Sequence, residues 1–178
     1  QFRNDYYIYA AEDSDEFVSQ MYRGASLVLQ RPFNRFRRLE WSLDALAVSE
    51  EVFRESFSSS GGVETDSRGK ETLLFVAPGA ALVTDNALWG PTGPVGGGRS
   101  RYSFEVGIGD VSYQTYLADV RRYVNIRHQF ALAGRVIGAS SLGDDPQFFR
   151  IGGPYTLRGW SYGGLRGTRI GLMNLELR

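Results

Sequence analysis

Few side chains in this sequence could support catalysis or bind a metal. His128 is the only histidine and cysteine is absent, so His128 has no partner at metal-ligand spacing. Serine–histidine catalysis would have to use the same His128, which lies beside a predicted tight turn. We therefore interpret His128 as a turn residue. The sequence predicts no catalytic residue, no metal site and no cofactor, and the protein is expected not to be an enzyme.

Two further segments could bind ions, but simpler structures account for both. Residues 12–16 (EDSDE) are acidic and could bind calcium weakly, although a solvated loop is the favoured interpretation. Residues 96–100 (GGGRS) lack the lysine of a phosphate-binding loop and indicate a flexible turn. The remaining information about function lies in the strands and loops that would position the charged side chains.

Amino-acid composition excludes some classes of protein and of structural element. The 178 residues carry 20 Lys+Arg and 20 Asp+Glu, a formal net charge of zero. This balance excludes a nucleic-acid-binding domain that relies on net positive charge. No window of about 18 apolar residues is free of charge, so a membrane-spanning helix is excluded. A transmembrane strand needs only about 9 to 11 residues, so a membrane location stays open.

Two-residue alternation of apolar and polar side chains recurs along the chain and predicts strands. It is clearest in residues 38–48 and 101–109. The apolar positions there are Leu39, Trp41, Leu43, Ala45 and Ala47, and Tyr102, Phe104, Val106 and Ile108. Alternation changes phase within residues 167–178, which predicts a bulge near Leu172 or Met173. About eight strands are expected in total.

The predicted connections alternate between short and long. Tight turns are expected within residues 31–35, 90–98 and 125–128, and long polar loops within residues 12–20, 50–71 and 142–167. Such an up-and-down meander is typical of outer-membrane barrels, although a soluble β-sandwich can show the same alternation. Aromatic residues near strand ends could form an interfacial girdle: Tyr6, Tyr7, Tyr22, Phe33, Phe36, Trp89, Tyr102 and Tyr123.

The C-terminal third carries a recognisable set of motifs. Gly152-Gly153 precedes Leu157-Arg158-Gly159-Trp160, and a strand with Asn174-Leu175-Glu176 follows. This arrangement resembles the bacterial surface-antigen barrel superfamily, which includes the outer-membrane assembly factor BamA, TamA and the two-partner secretion transporters. Residues 32–38 and 85–99 resemble more narrowly the barrels fused to a TolB-like propeller.

The resemblance implies an all-β fold. Residues 1–178 would form an antiparallel transmembrane β-barrel segment, roughly strands five to twelve of a sixteen-strand up-and-down barrel, in the outer membrane of a Gram-negative-type bacterium. The loop at residues 142–167 would fold into the lumen. There Arg158 would pair with Glu176 on the wall, because a guanidinium keeps its charge when partly desolvated. Gly159 would allow close backbone approach and Trp160 would wedge the loop.

The resemblance also implies a function, the insertion or translocation of polypeptides at the outer membrane. The expected partners are outer-membrane lipids, client polypeptides, and periplasmic domains or accessory proteins, but not nucleic acid. Two alternatives within a barrel are a passive anchor for a periplasmic domain and a two-partner-secretion-type transporter. A ligand-binding soluble β-sandwich is the alternative outside the membrane.

Overall fold

The computed structural model describes residues 2–10, 16–57, 63–91, 93–127, 130–154 and 156–178. Most of the acidic segment 12–16 and His128 therefore lie outside the described residues. The described residues form eleven strands: β1 Phe2–Ala10, β2 Glu16–Asn34, β3 Arg37–Phe57, β4 Val63–Asp85, β5 Leu88–Gly90, β6 Gly93–Gly109, β7 Tyr113–Arg127, β8 Phe130–Gly143, β9 Phe149–Ile151, β10 Leu165–Gly167 and β11 Arg169–Leu177.

Eight of these strands form one antiparallel sheet in the order β1-β2-β3-β4-β6-β7-β8-β11. Strand β5 pairs with β6, and β9 pairs with β10 as a separate hairpin. Neighbours in the main sheet are therefore successive strands, apart from the short ones. The predicted all-β fold and the predicted number of main strands are both confirmed.

The chain divides into two compact units. Unit 1 comprises Gln1–Leu27, Leu43–Ala77 and Ile108–Val111, and unit 2 comprises Val28–Ser42, Pro78–Gly107 and Ser112–Arg178. Unit 1 buries Val48, Phe75 and Ala77, while Leu74, Val76 and Ile108 are exposed along an apolar groove. Its residues thus alternate between a buried and an exposed position, as the pleat of a strand requires.

The sheet of unit 2 has two faces of opposite character. The polar face carries Glu40, Arg101, Asp119, Arg135 and Glu176, together with the small buried side chains of β8. The apolar face carries large exposed side chains on the alternate positions. They are Trp41, Leu82, Tyr102, Phe104, Tyr116, Val120, Val124, Phe130, Val136, Leu142, Met173, Leu175 and Leu177.

Turn chemistry fixes one end of the β2–β3 hairpin. The Asn34 Oδ1 atom accepts hydrogen bonds from the backbone N–H groups of Phe36 and Arg37, both at 2.9 Å. A side-chain oxygen thereby satisfies two donors that the turn leaves without a strand partner. The tight turn expected in this part of the chain is confirmed, centred slightly later than residues 31–35.

Two expectations about strand extent are wrong, those for residues 50–71 and for residues 96–100, and the latter lie within β6 instead of a flexible turn. The long loop expected over residues 50–71 is mostly strand, because β3 continues to Phe57 and β4 begins at Val63. Backbone pairing does not require apolar side chains, and polar pairs can support it: the Ser49 and Thr72 hydroxyls lie 3.1 Å apart.

The bulge expected near Leu172 or Met173 is also wrong. Strand β11 pairs with β8 in a continuous register from Arg169↔Ser140 to Leu177↔Leu132. The phase change arises because Ile170 and Leu172 lie on the polar face, opposite the buried Ala139 and Ile137. The polar face is therefore locally apolar at this end of β11, and its polar character begins at Asn174.

Candidate functional site

Among the described residues, three carboxylates on the polar face of unit 2 are each shared by two arginines. Glu40 receives hydrogen bonds from the Arg38 Nε and Arg101 Nη1 atoms, both at 2.6 Å. Asp119 is bound by Arg121 and Arg135, and Glu176 by Arg158 and Arg178. We call these the Glu40, Asp119 and Glu176 clusters.

The Asp119 cluster follows from strand register. Arg121 and Arg135 are direct cross-strand partners, an arrangement of like charges that would be unfavourable by itself. Asp119 lies two residues before Arg121 on β7 and therefore on the same face. Each guanidinium binds it through two atoms, with Nη2–Oδ2 distances of 2.7 and 2.8 Å and Nε–Oδ1 distances of 3.1 Å. One carboxylate thus holds two neighbouring strands together.

The Glu176 cluster connects the loop between β8 and β11 to the sheet. The Arg158 Nη2 atom lies 3.1 Å from Glu176 Oε1, and the Arg178 Nη2 atom lies 2.8 Å from Glu176 Oε2. The structure therefore brings together the two residues that the family resemblance pairs. We call the described part of this loop, residues 152–164 without residue 155, the tethered loop.

The start of the tethered loop is fixed by glycine. Gly152 and Gly153 are buried and adopt φ angles of 130° and 91°, a region that favours glycine. A Cβ atom on Gly152 would overlap the carbonyl oxygen of Ser161. The Thr156 Oγ1 atom accepts a hydrogen bond from Gly152 N at 2.8 Å and donates one to Gly152 O at 2.9 Å. These bonds close a compact turn.

A second tether joins this turn to β11. The Asn174 Nδ2 atom donates a hydrogen bond of 2.8 Å to the Thr156 carbonyl oxygen. Among the described residues, buried Asn174 Oδ1 has no hydrogen-bond partner, so the bond to Thr156 is the hydrogen bond that this side-chain amide makes. The sequence analysis named Asn174 as part of the strand motif but predicted no contact for it, and it missed Thr156. The available signal was that Asn174 shares the strand phase of Glu176, so both must face the same side.

The tethered loop differs from the expectation at two of its motif positions. The Trp160 residue is 54% exposed and does not wedge the loop against the wall. Apart from the neighbours of Gly159 in the chain, no described residue has an atom within 4 Å of the position of a Cβ, so this glycine does not serve close approach. Its φ of 87° is instead the reason for glycine at this position.

The Arg158–Glu176 pair is also more exposed than the partly desolvated pair that the resemblance implies. The Arg158 side chain is 71% exposed and that of Glu176 is 29% exposed. Leu157, the remaining motif residue, is half-buried. The ion pair is therefore largely solvated, and its expected contribution to stability falls in the range of surface pairs, about 0.2 to 1 kcal/mol.

A cavity of 210 Å³ lies between the tethered loop and the sheet. Its lining includes Arg121, Arg135, Arg158 and Arg178, with Glu176 and the small residue Ala133. Tyr123 also lines it, so this tyrosine belongs to the polar face and the expected girdle position is wrong for it. The side chains of Tyr6 and Tyr7 lie outside the part that the structure describes.

No protein-family model matches the chain, and a search of curated proteins finds no significant relative. Among the described residues, no group of three or more histidine, aspartate or glutamate side chains is arranged to hold a metal ion. The same residues contain no helix long and apolar enough to cross a membrane.

Proposed function

We propose that this chain is part of the wall of a transmembrane β-barrel in a Gram-negative-type outer membrane, and that the barrel acts in the insertion or translocation of polypeptides. The proposal has two steps. The first is the membrane location, which rests on the two faces of unit 2. The second is the activity, which rests on the tethered loop and the resemblance it carries.

The observation that supports the membrane location is the polarity of the two faces. The apolar face exposes Met173 at 72%, Leu177 at 66% and Leu175 at 64%, on successive alternate positions of one strand. Burying each such side chain is worth about 1.5 to 3 kcal/mol, so a contiguous face of them requires an apolar environment. The opposite face carries the arginine–carboxylate clusters, which suit a watery lumen.

Strand length agrees with this location. Strands β6 and β7 have 17 and 15 residues, more than the roughly 9 to 11 needed to cross a bilayer at a barrel tilt. The ring pair Phe104–Tyr116, with centroids 4.9 Å apart, lies on the apolar face at register partners. Aromatic side chains there would contact lipid directly.

The activity is supported by the geometry of the tethered loop. In the superfamily that this chain resembles, a loop with the hydrophobic-Arg-Gly-aromatic motif reaches an acidic residue on the inner wall. Here Arg158 reaches Glu176 on the polar face. On this basis the chain is a BamA-like barrel wall, with outer-membrane lipids and client polypeptides as its partners.

The membrane location is tested by labelling adjacent positions on opposite faces. The chain has no cysteine, so Thr115→Cys and Tyr116→Cys give single labelling sites without further changes. After reconstitution in lipid vesicles, we expect a nitroxide at residue 116 to be relaxed by oxygen, which concentrates in lipid. A nitroxide at residue 115 should instead respond to a water-soluble nickel chelate. Equal responses, or a protein that stays soluble without detergent, would contradict the membrane location.

The activity is tested separately in the same vesicles. We expect the complete barrel to accelerate the membrane insertion of an unfolded outer-membrane protein, compared with vesicles that lack it. A correctly inserted barrel that gives no acceleration would favour the passive anchor. Acceleration confined to one dedicated client would favour the two-partner-secretion type.

A further inference from the structure

We propose that the cavity beside the tethered loop is an anion site that binds phosphate. Four guanidinium groups line this cavity, those of Arg121, Arg135, Arg158 and Arg178. Asp119 and Glu176 are the carboxylates that these arginines bind in ion pairs, and the six side chains together carry a formal charge of +2. This excess of positive charge lies around one cavity. This inference concerns unit 2 alone and does not depend on the proposed function.

The four arginines come from separate segments that the fold brings together. Arg121 lies on β7, Arg135 on β8, Arg158 in the tethered loop and Arg178 directly after β11. The Arg135 and Arg121 side chains are 24% and 33% exposed, so water screens them less than it screens Arg158. Charges in such partly buried positions interact more strongly with an anion than fully solvated charges do.

The size and shape of the cavity suit a small ion. Its volume of 210 Å³ is about seven times the ~30 Å³ that one water occupies in the liquid. Ala133 and Gly134 contribute little bulk to the lining. Guanidinium groups bind phosphate oxygens through two parallel N–H groups, which makes arginine the preferred residue for this anion. A phosphate ion can therefore enter and contact several of these side chains at once.

Titration calorimetry with sodium phosphate tests the site, using the purified full chain in nonionic detergent at low ionic strength. Arg121→Gln should weaken binding about tenfold, because it removes one charge-assisted contact. The matched control is Arg101→Gln on the same face. It likewise leaves its carboxylate with one arginine, since Glu40 keeps Arg38, but Arg101 does not line the cavity. We expect it to change binding less than twofold.

A gain-of-binding variant separates the anion site from a purely structural role. Glu176→Gln removes one of the two neutralising carboxylates, so phosphate should bind several-fold more tightly. A cluster that only stabilises the sheet would not bind an anion better after losing its own acid. Ala133→Val narrows the cavity without changing charge and should weaken phosphate binding in a chain that is still folded by circular dichroism.

Three outcomes would overturn the proposal. The first is the absence of a phosphate titration in the unmodified chain. The second is an equal loss in Arg121→Gln and Arg101→Gln, which would indicate diffuse attraction to a basic face. The third is binding of a glutamate-rich peptide in the absence of phosphate binding, which would make the cavity a contact for acidic polypeptide.

Discussion

The Asp119 and Glu176 clusters have the same composition but different construction. Both place one carboxylate between two arginines, and both lie on the polar face. Asp119 is 16% exposed and is held by two strands whose register fixes both arginines, with two bonds from each. Glu176 is more exposed and receives one of its arginines from a loop through a single contact. The Asp119 cluster, in which strand register fixes both arginines, should therefore be more rigid than the Glu176 cluster. The latter can lose Arg158 when the loop moves away.

The largest expected effect is in the rigid cluster. Asp119→Asn leaves Arg121 and Arg135 as opposed like charges with no carboxylate between them. We expect a loss of about 2 to 3 kcal/mol in the free energy of unfolding, the value of charged hydrogen bonds in partly buried positions. Urea unfolding in detergent measures it. Asp144→Asn, at an exposed acid of the same unit, should stay within about 0.5 kcal/mol. An equal loss of unfolding free energy in Asp119→Asn and Asp144→Asn would mean that strand register does not strengthen the Asp119 cluster.

A smaller effect is expected where the tethered loop begins. Gly152→Ala introduces a Cβ against the Ser161 carbonyl at a φ of 130°. The strain of such a position is about 1 to 3 kcal/mol, and opening the loop relieves part of it. Trypsin should then cleave after Arg158 or Arg166 several times faster. The control is Gly171→Ala in β11, where no atom lies within 4 Å of the new Cβ. Unchanged cleavage in Gly152→Ala would show that the turn tolerates the side chain.

The smallest effect belongs to the loop arginine. Arg158→Ala should lower the free energy of unfolding by less than about 1 kcal/mol, because the Arg158 side chain is 71% exposed. The effect should fall further as salt is added. A double-mutant cycle with Glu176→Gln isolates the pair. A coupling of 3 kcal/mol or more would contradict this comparison and would indicate that the loop closes more tightly over Arg158 in the membrane.

Some parts of the structure could be predicted from the sequence and others could not. The alternation of apolar and polar residues over residues 101–109 assigns each side chain of β6 to one of the two faces of the sheet. This works because successive side chains of a strand point to opposite faces. The same rule failed for residues 50–71, where polar side chains concealed continued backbone pairing. Apolar–polar alternation indicates the environment of the side chains. It does not indicate where backbone pairing between two strands ends.

The candidate site was predictable to a similar degree. The contact between Arg158 and Glu176 followed from a motif and a strand phase. The bond from Asn174 to the Thr156 carbonyl did not, because a backbone oxygen in a loop leaves no mark on the sequence. The exposure of Trp160 and the open space around Gly159 depend on the path of the loop, which residue types alone do not determine.

Sharing each carboxylate between two arginines has a consequence for how this sequence can vary. Loss of either arginine leaves Glu40, Asp119 or Glu176 still paired with the other, so the cations are redundant one at a time. The acids have no such replacement, since each one serves two partners. Random substitution should therefore be tolerated unequally: within each cluster, loss of one arginine should cost less stability than loss of the acid that both arginines share.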